Sequence, residues 1–207
     1  MGFYARVIFP RLCDFVLDNP IVAKHRRELL AGAAGQILEI GFGSGLNLAQ
    51  YPEQVRSITI VDPNTGMNRR AQVRIRKSGI SVDQRLLSSE QLPFPDDTFD
   101  SVVSTYTLCS IARITSALGE VYRVLKPGGR FLFLEHGLSP DPSVSRWQHR
   151  LNWLQMRLGD GCRLDRNIAG FIREQPFASL AVDEFYMDKT PKTHGYTFRG
   201  TAAKVRS

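Results

Sequence analysis

Ile37-Leu38-Glu39-Ile40-Gly41-Phe42-Gly43-Ser44-Gly45-Leu46-Asn47 is the stretch whose reading decides the fold. A short run rich in Ile and Leu ends in glycines on alternate positions, and a helical pattern follows from about Gly45. That is how a buried strand turning tightly into a helix reads. Glycines let the backbone bend sharply and approach a ligand with no side chain between. A helix starting there aims free N–H groups and a partial positive charge into the crevice, which favours an anionic group. The spacing differs from the dinucleotide fingerprint G-x-G-x-x-G, because the third glycine comes one residue early and Leu46 follows it. Glu39 would repel a pyrophosphate and suits a ligand that carries an ammonium.

The rest of the chain is consistent with one domain. It has 207 residues, 43% of them hydrophobic and 23% charged, enough to bury a sizeable core. No apolar run approaches the ~20 residues that span a bilayer, and the N-terminus lacks the layout of a secretion signal, so the expected compartment is the cytoplasm. Cys13, Cys109 and Cys162 are odd in number and far apart; the expectation is reduced packing thiols, with neither a disulfide framework nor a metal site. The formal charge of +7 admits nucleic acid, an anionic membrane surface or an acidic substrate as partner. Arg69, Arg70, Arg74, Arg76 and Lys77 carry much of it. Met67, Ala71 and Ile75 recur every four residues there, which puts the basic side chains on the outer, solvated face of an amphipathic helix. No aromatic residues are interleaved to stack on bases, which speaks against single-stranded nucleic acid.

Two helices precede the first strand. One begins at Pro10 with apolar Leu12, Phe15 and Val16; the other takes Asn19 as N-cap and Pro20 in its first turn, and ends near Gly32. They cover an edge or face of the sheet, or form a lid that brings Phe3 or Tyr4 near the ligand, and they admit peripheral contact with a membrane. Val55 to Val61 is a second strand ending at Asp62, about 20 residues past the glycine loop. A parallel βαβ unit sets its tip beside the first strand there, and its carboxylate can accept both hydroxyls of a ribose. Asp62-Pro63 also reads as a helix cap and first-turn proline, with Asn64 as an alternative cap. The basic helix, a strand over Ile80 to Leu87, a strand beginning at Ser101, a helix over Ile114 to Leu125 and a strand over Arg130 to Glu135 follow. Alternating strands and helices mean a parallel sheet with right-handed crossovers. Ligands bind outside the carboxyl ends of such strands, so Gly41 to Gly45, Asp62, Ser88, Thr105 and His136 should surround one crevice. Beyond Leu138, Asp141-Pro142 starts a helix with the stripe Trp147, Leu151, Leu154 and Leu158, ended by Gly159 and overhanging the crevice. Asp165 caps a short helix to about Glu174. Phe177 to Met187 and Tyr196 to Val205 form an antiparallel pair at a sheet edge.

Glu39-x-Gly41-x-Gly43-x-Gly45 resembles motif I of the class I S-adenosylmethionine-dependent methyltransferases. Together with Ile60-Val61-Asp62, Glu90-Gln91-Leu92-Pro93-Phe94, Thr98 to Val103 and Glu120 to Gly129, it makes the chain similar to their type 11 group, which includes ubiquinone and menaquinone methyltransferases. Thr107-Leu108-Cys109-Ser110, Phe133-Leu134-Glu135-His136 and Asp160 to Arg166 further resemble small methyltransferase-like proteins that act on alkyl thiols. Those proteins carry a hydrophobic leader that is absent here, so membrane attachment is not expected to carry over. The resemblance implies a Rossmann-like α/β fold: a seven-stranded, mostly parallel sheet with helices on both faces and an antiparallel C-terminal strand pair. It divides the single domain 1–207 into a helical cap (1–35), a cofactor-binding core (36–137), a helical insertion shaping the substrate pocket (138–175) and the strand pair (176–207).

The implied cofactor is S-adenosyl-L-methionine, leaving as S-adenosyl-L-homocysteine, with no metal expected. Gly41, Gly43 and Gly45 would serve the methionine end, with Glu39, Phe42 and Asn47 of the same stretch also cofactor-binding. Asp62, Pro63 and Asn64 would serve the ribose, and Ser88, Ser89, Glu90 and Thr105 the rest of the site. Many relatives have Asp where Ser88 stands, so a hydroxyl or backbone carbonyl must meet the adenine amine instead. The expected reaction is in-line methyl transfer to a small apolar acceptor such as a thiol or quinol. A general base is needed only for an acceptor protonated at neutral pH; His136 and Tyr106 are the candidates. His136 can instead hydrogen-bond the backbone and orient its loop. A lipid headgroup amine is an alternative acceptor, and a non-catalytic cofactor-binding module an alternative role. Ser104-Thr105-Tyr106-Thr107 stands where exocyclic-amine methyltransferases carry Asn/Asp-Pro-Pro-aromatic. The sequence carries no signal for an oligomeric state.

Overall fold

The computed structural model describes residue 4, residues 8–64 and residues 68–206. Strands β1 (Ile37–Ile40), β2 (Ser57–Val61), β3 (Ser81–Arg85), β4 (Phe99–Thr105), β5 (Leu125–His136), β6 (Ser179–Tyr186) and β7 (Tyr196–Ala203) form one sheet in the order β3-β2-β1-β4-β5-β7-β6. Only β7 runs against the others, inserted between β5 and β6. The expected antiparallel pair is therefore present at the sheet edge. Helices α1 (Phe9–Leu17), α2 (Pro20–Leu30), α3 (Asn68–Ser78), α4 (Ile114–Val124), α5 (Pro142–Leu158), α6 (Ile168–Arg173) and α7 (Lys192–Gly195) surround it.

The two faces of the sheet sort by period-two alternation. Leu38, Ile40, Val102, Phe131 and Phe133 pack on one side with Leu118 and Val121 of α4 and Ile168 and Ile172 of α6. Ile37, Ile58, Ile60, Val103, Leu132 and Leu134 pack on the other with Leu29 and Leu30 of α2 and Ala71 of α3. Each such buried side chain contributes about 1.5–3 kcal/mol of apolar burial. The outer strands β3 and β6 are half exposed and carry charges such as Asp83, Asp183 and Glu184, which discourage pairing with another edge.

Register positions the site. Ile40 lies opposite Val61 on one side and Ser104 on the other, so Gly41, Asp62 and Thr105 emerge level with one another at the carboxyl ends of the central strands.

Several expectations need correction. No regular helix follows the glycine loop: residues 46–50 form only turns, with Leu48 N–H donating to Gly45 O and Tyr51 N–H to Asn47 O before Pro52. A proline six residues past Leu46 and the burial of Leu48 and Tyr51 leave room for no more, so a helix dipole is not what the loop presents. Asn167, not Asp165, caps α6; its side chain accepts the Gly170 N–H at 2.9 Å. Asp165 instead accepts from Asn152 and Arg163. Lys126 to Gly129 do not separate helix from strand, because β5 starts at Leu125 directly after α4. Phe3 and Met67 lie outside the described residues, as does the side chain of Arg69. Tyr4 is not at the crevice: its hydroxyl donates to Leu158 O at 2.6 Å, closing the end of α5.

Candidate active site

A cavity of about 370 Å³ opens at the carboxyl ends of β1, β2 and β4. Its floor is Gly41 to Ser44 and Leu46; Val61 to Asn64 form one side, Ser88 to Glu90 and Ser110 to Ala112 another, and Cys13, Asp14, Leu17 and Arg26 a roof. Thr105, Tyr106, Thr107 and Asp160 complete it.

Gly41 and Gly43 have different physical reasons. Both have left-handed φ, +68° and +56°. A Cβ on Gly41 would lie 2.1 Å from the Thr107 side chain, so Gly41 permits close packing of β1 against the loop after β4. A Cβ on Gly43 would meet nothing within 4 Å, since Gly43 faces open cavity. The Asp62 carboxylate bridges the loop to β2: one oxygen accepts the Gly43 N–H and the other the Asn64 N–H, both at 2.7 Å. The second contact is a local turn, and residues 65–67 between it and the first described residue of α3 lie outside the described residues. Burial pushes the Asp62 carboxyl upward, these two N–H groups pull it back, and Asp160 adds to the rise.

Glu39, Gly45 and Asn47 do not line the cavity. Glu39 is fully buried beneath the loop, accepting from Asn47 Nδ2 at 2.9 Å and from the Tyr51 hydroxyl at 2.7 Å. Asn47 Oδ1 in turn accepts from Arg26 Nη1 at 2.6 Å, and the same nitrogen donates to Thr105 Oγ1 at 2.7 Å. Burial raises the Glu39 carboxyl to about 7 against the pull of Tyr51, Asn47 and Arg26. The acid thus holds the loop from below. Sequence reading missed Arg26, a guanidinium only 4% exposed that lines the cavity, stands 5.5 Å from the Tyr106 ring centre and leaves its Nε without a partner among the described residues.

The basic face of α3 is not wholly solvated. Asp14 of α1 is buried, and accepts from Ser44 Oγ, Arg70 and Arg74. Arg74 also donates to Ser44 O at 3.0 Å and to Asp18 at 2.9 Å. Burial would raise the Asp14 carboxyl, but these donors hold it low. The helical cap is thereby clasped to the glycine loop, and Cys13 and Leu17, rather than Tyr4, reach the cavity.

Beyond β4, Tyr106 adopts φ +53°, uncommon for a side chain of that size, and burial pushes its phenol up to about 12. The conformation is held by Glu135, which is fully buried and accepts from Ser104 Oγ at 2.7 Å and from the N–H groups of Thr107 and Leu108. Ser88, Ser89 and Glu90 sit where expected. Ser88 Oγ accepts the Glu90 N–H at 3.2 Å, and Glu90 is held by the N–H and Nε of Arg113.

His136 is not at the cavity. Its Nε2 lies 3.0 Å from Cys162 Sγ, which lies 3.6 Å from Cys109 Sγ, and all three residues are buried. Neither proton transfer in the crevice nor a backbone hydrogen bond describes it. All three cysteines are free thiols, and folding brings together two that are separated by 53 positions in the chain.

Comparison with known proteins agrees with this geometry. The family signature described as "Methyltransferase domain" matches residues 38–133. Human thiol S-methyltransferase TMT1A is 30% identical over 201 residues, covering 89% of this chain and 82% of that protein. The chain belongs to the class I S-adenosylmethionine-dependent methyltransferases of the type 11 group. Within the family, the ubiquinone/menaquinone biosynthesis C-methyltransferase of Rubrivivax gelatinosus is 39% identical over 109 residues, which is 52% of this chain and 42% of that one. A solved S-adenosylmethionine-dependent methyltransferase of Thermotoga maritima, described as a possible histamine N-methyltransferase, superposes with a TM-score of 0.70 over 97% of this chain and 98% of that one at 19% identity. The methyltransferase's cofactor is S-adenosylmethionine. The cavity fits such a ligand: Gly43 leaves open space, Asp62 presents a buried acceptor, and Arg26 Nε is a buried donor without a partner among the described residues.

Proposed function

We propose that this methyltransferase transfers methyl to a small apolar thiol by in-line displacement. The observation that carries the reading is the make-up of the cavity wall. Its volume is at the lower end of the ~300–1,000 Å³ usual for ligand sites, so little room remains beside a nucleoside-sized cofactor. Cys13, Leu17, Phe42, Leu46, Ile111 and Ala112 make the remaining wall apolar. Among the described lining residues there is no histidine; Asp14 and Glu90 are engaged by arginines, and Asp160 accepts from Asn64 Nδ2 at 3.3 Å. Sulfur is an intrinsically strong nucleophile toward a sulfonium methyl, so a thiol asks less of a protein base than a quinol oxygen or a protonated amine.

The bound cofactor supplies an activated methyl on a sulfonium. The chain's own residues bind, orient and keep out water. Asp62 receives the ribose hydroxyls with the free lone pairs of both oxygens, Gly41 and Gly43 let the methionine end approach the backbone, and Ser88, Ser89 and Glu90 face the adenine. Gly45, Asn47 and Glu39 act at one remove by shaping the loop. Phe42, Pro63, Asn64 and Thr105 line the walls. Tyr106 stays protonated and walls the methyl end together with Arg26. Alignment in a dry pocket is the main contribution asked of the protein.

A second reading, a lipid-borne acceptor reached at a membrane surface, is favoured by one observation. Trp147, Trp153, Leu154, Met156 and Leu158 of α5 and Phe15 and Val16 of α1 are exposed, with Arg146, Arg150 and Arg157 among them. No described helix is long and apolar enough to cross a membrane. Methyl-labelled S-adenosylmethionine offered with alkyl thiols, quinols and lipid amines in vesicles separates the readings. Label on thiols in solution supports the first; label only on vesicle lipid replaces it with the second.

A further inference from the structure

We propose that Cys109, His136 and Cys162 form a zinc site of the two-cysteine, one-histidine type, set behind the wall of the cavity. The ligand atoms come from the turn after β4, the last residue of β5 and the turn after α5, and all lie within 4.8 Å of one another.

The spacing is that of shared coordination. Zinc–sulfur bonds of about 2.3 Å and a zinc–nitrogen bond of about 2.0 Å at tetrahedral angles require sulfurs about 3.8 Å apart and nitrogen about 3.5 Å from sulfur. The sulfurs here are 3.6 Å apart, and His136 Nε2 is 3.0 Å from Cys162 Sγ, so the imidazole has to withdraw by about half an ångström. Soft thiolates with one imidazole are a donor set that selects zinc over hard cations. Binding releases the two thiol protons, and two thiolates with a neutral imidazole cancel the charge of the ion, which matters in a place where all three residues are less than 9% exposed. Coordination through Nε2 puts the imidazole proton on Nδ1, which has no protein partner among the described residues and is left for a water to accept.

Ser110 lines the cavity and its Oγ is 3.6 Å from Cys109 Sγ, which puts the cluster one side chain behind the wall. The ion would tie the loop of Ser110 to Ala112 to the α5 turn carrying Asp160, and three protein ligands leave its fourth position open.

The test uses the full chain, purified under reducing conditions. Elemental analysis should find about one zinc per chain, and cobalt substitution should give the thiolate-to-metal charge-transfer band of a cysteine-ligated ion. Alkylation should modify Cys109 and Cys162 only after chelation. Zinc content should fall at least ~10-fold in Cys162→Ser and in His136→Gln, and stay unchanged in His149→Gln. Should either ligand variant fail to fold, the alkylation experiment on the unmodified chain decides alone. Free, alkylatable Cys109 and Cys162 in metal-saturated protein would overturn the proposal. So would a Cys109–Cys162 disulfide in protein isolated without metal.

Discussion

The Asp62 carboxylate accepts a hydrogen bond from the backbone N–H of Gly43 at 2.7 Å. The residue proposed as the ribose acceptor is thus also the tie that holds the tip of β2 to the glycine loop.

Asp62→Ala is therefore expected to lower S-adenosylmethionine affinity by roughly 10- to 100-fold, the cost of hydrogen bonds to a charged acceptor. Calorimetric titration with the cofactor and with S-adenosylhomocysteine checks it. Asp62→Asn should fall between, since one amide oxygen still accepts from one N–H.

The two loop glycines should fail differently. Gly41→Ala drives a Cβ into Thr107 at a left-handed φ and should destabilise the fold by about 2–4 kcal/mol, read by denaturant unfolding. Thr107→Ala in the same chain should return part of that loss. Gly43→Ala meets no atom and should cost only about 1–2 kcal/mol of backbone strain while abolishing cofactor binding.

Arg26→Ala is expected to destabilise by about 3 kcal/mol, because Asn47 Oδ1 and Thr105 Oγ1 lose their buried cationic donor. Arg26→Lys should rescue little, since an ammonium reproduces neither the planar fork nor its stacking near Tyr106. Urea unfolding of the three proteins gives the ranking.

Glu39 predicts a pH dependence whose sign follows from burial. Its carboxyl is raised to about 7 in the folded chain from an ordinary 4.5, so the folded state holds a proton that the unfolded state has released between those values. Its contribution is complete below pH 4.5 and lost as pH rises through 7, with a slope of up to about 1.4 kcal/mol per pH unit. Unfolding series from pH 4.5 to 8 should show this slope in the natural chain and a flatter one in Glu39→Gln. Equal slopes would remove Glu39 as the source.

Much of the site was legible because it is local. Three glycines at alternate positions after a buried strand, and an acid at the tip of the next, place Gly41, Gly43 and Asp62 together through parallel register alone. The helix expected after Gly45 failed for an equally local reason: Pro52 follows too soon. Asp165 failed as a cap because Asn152 and Arg163 claim its carboxylate, and Asn167 meets the free N–H.

By itself, then, the sequence determined the order of the strands and of the longer helices, and the glycine–carboxylate pair, since period and turn chemistry act over a few residues. Only the tertiary structure decided that Glu39 faces inward to Tyr51 and Asn47, that Arg26 and Asp14 reach the loop from the N-terminal helices, and that His136 turns away from the cavity toward Cys109 and Cys162. Each of these joins residues from separate elements. The partner of a buried polar group is chosen by whatever donor or acceptor packing brings within 3 Å of it, and no spacing along the chain encodes that.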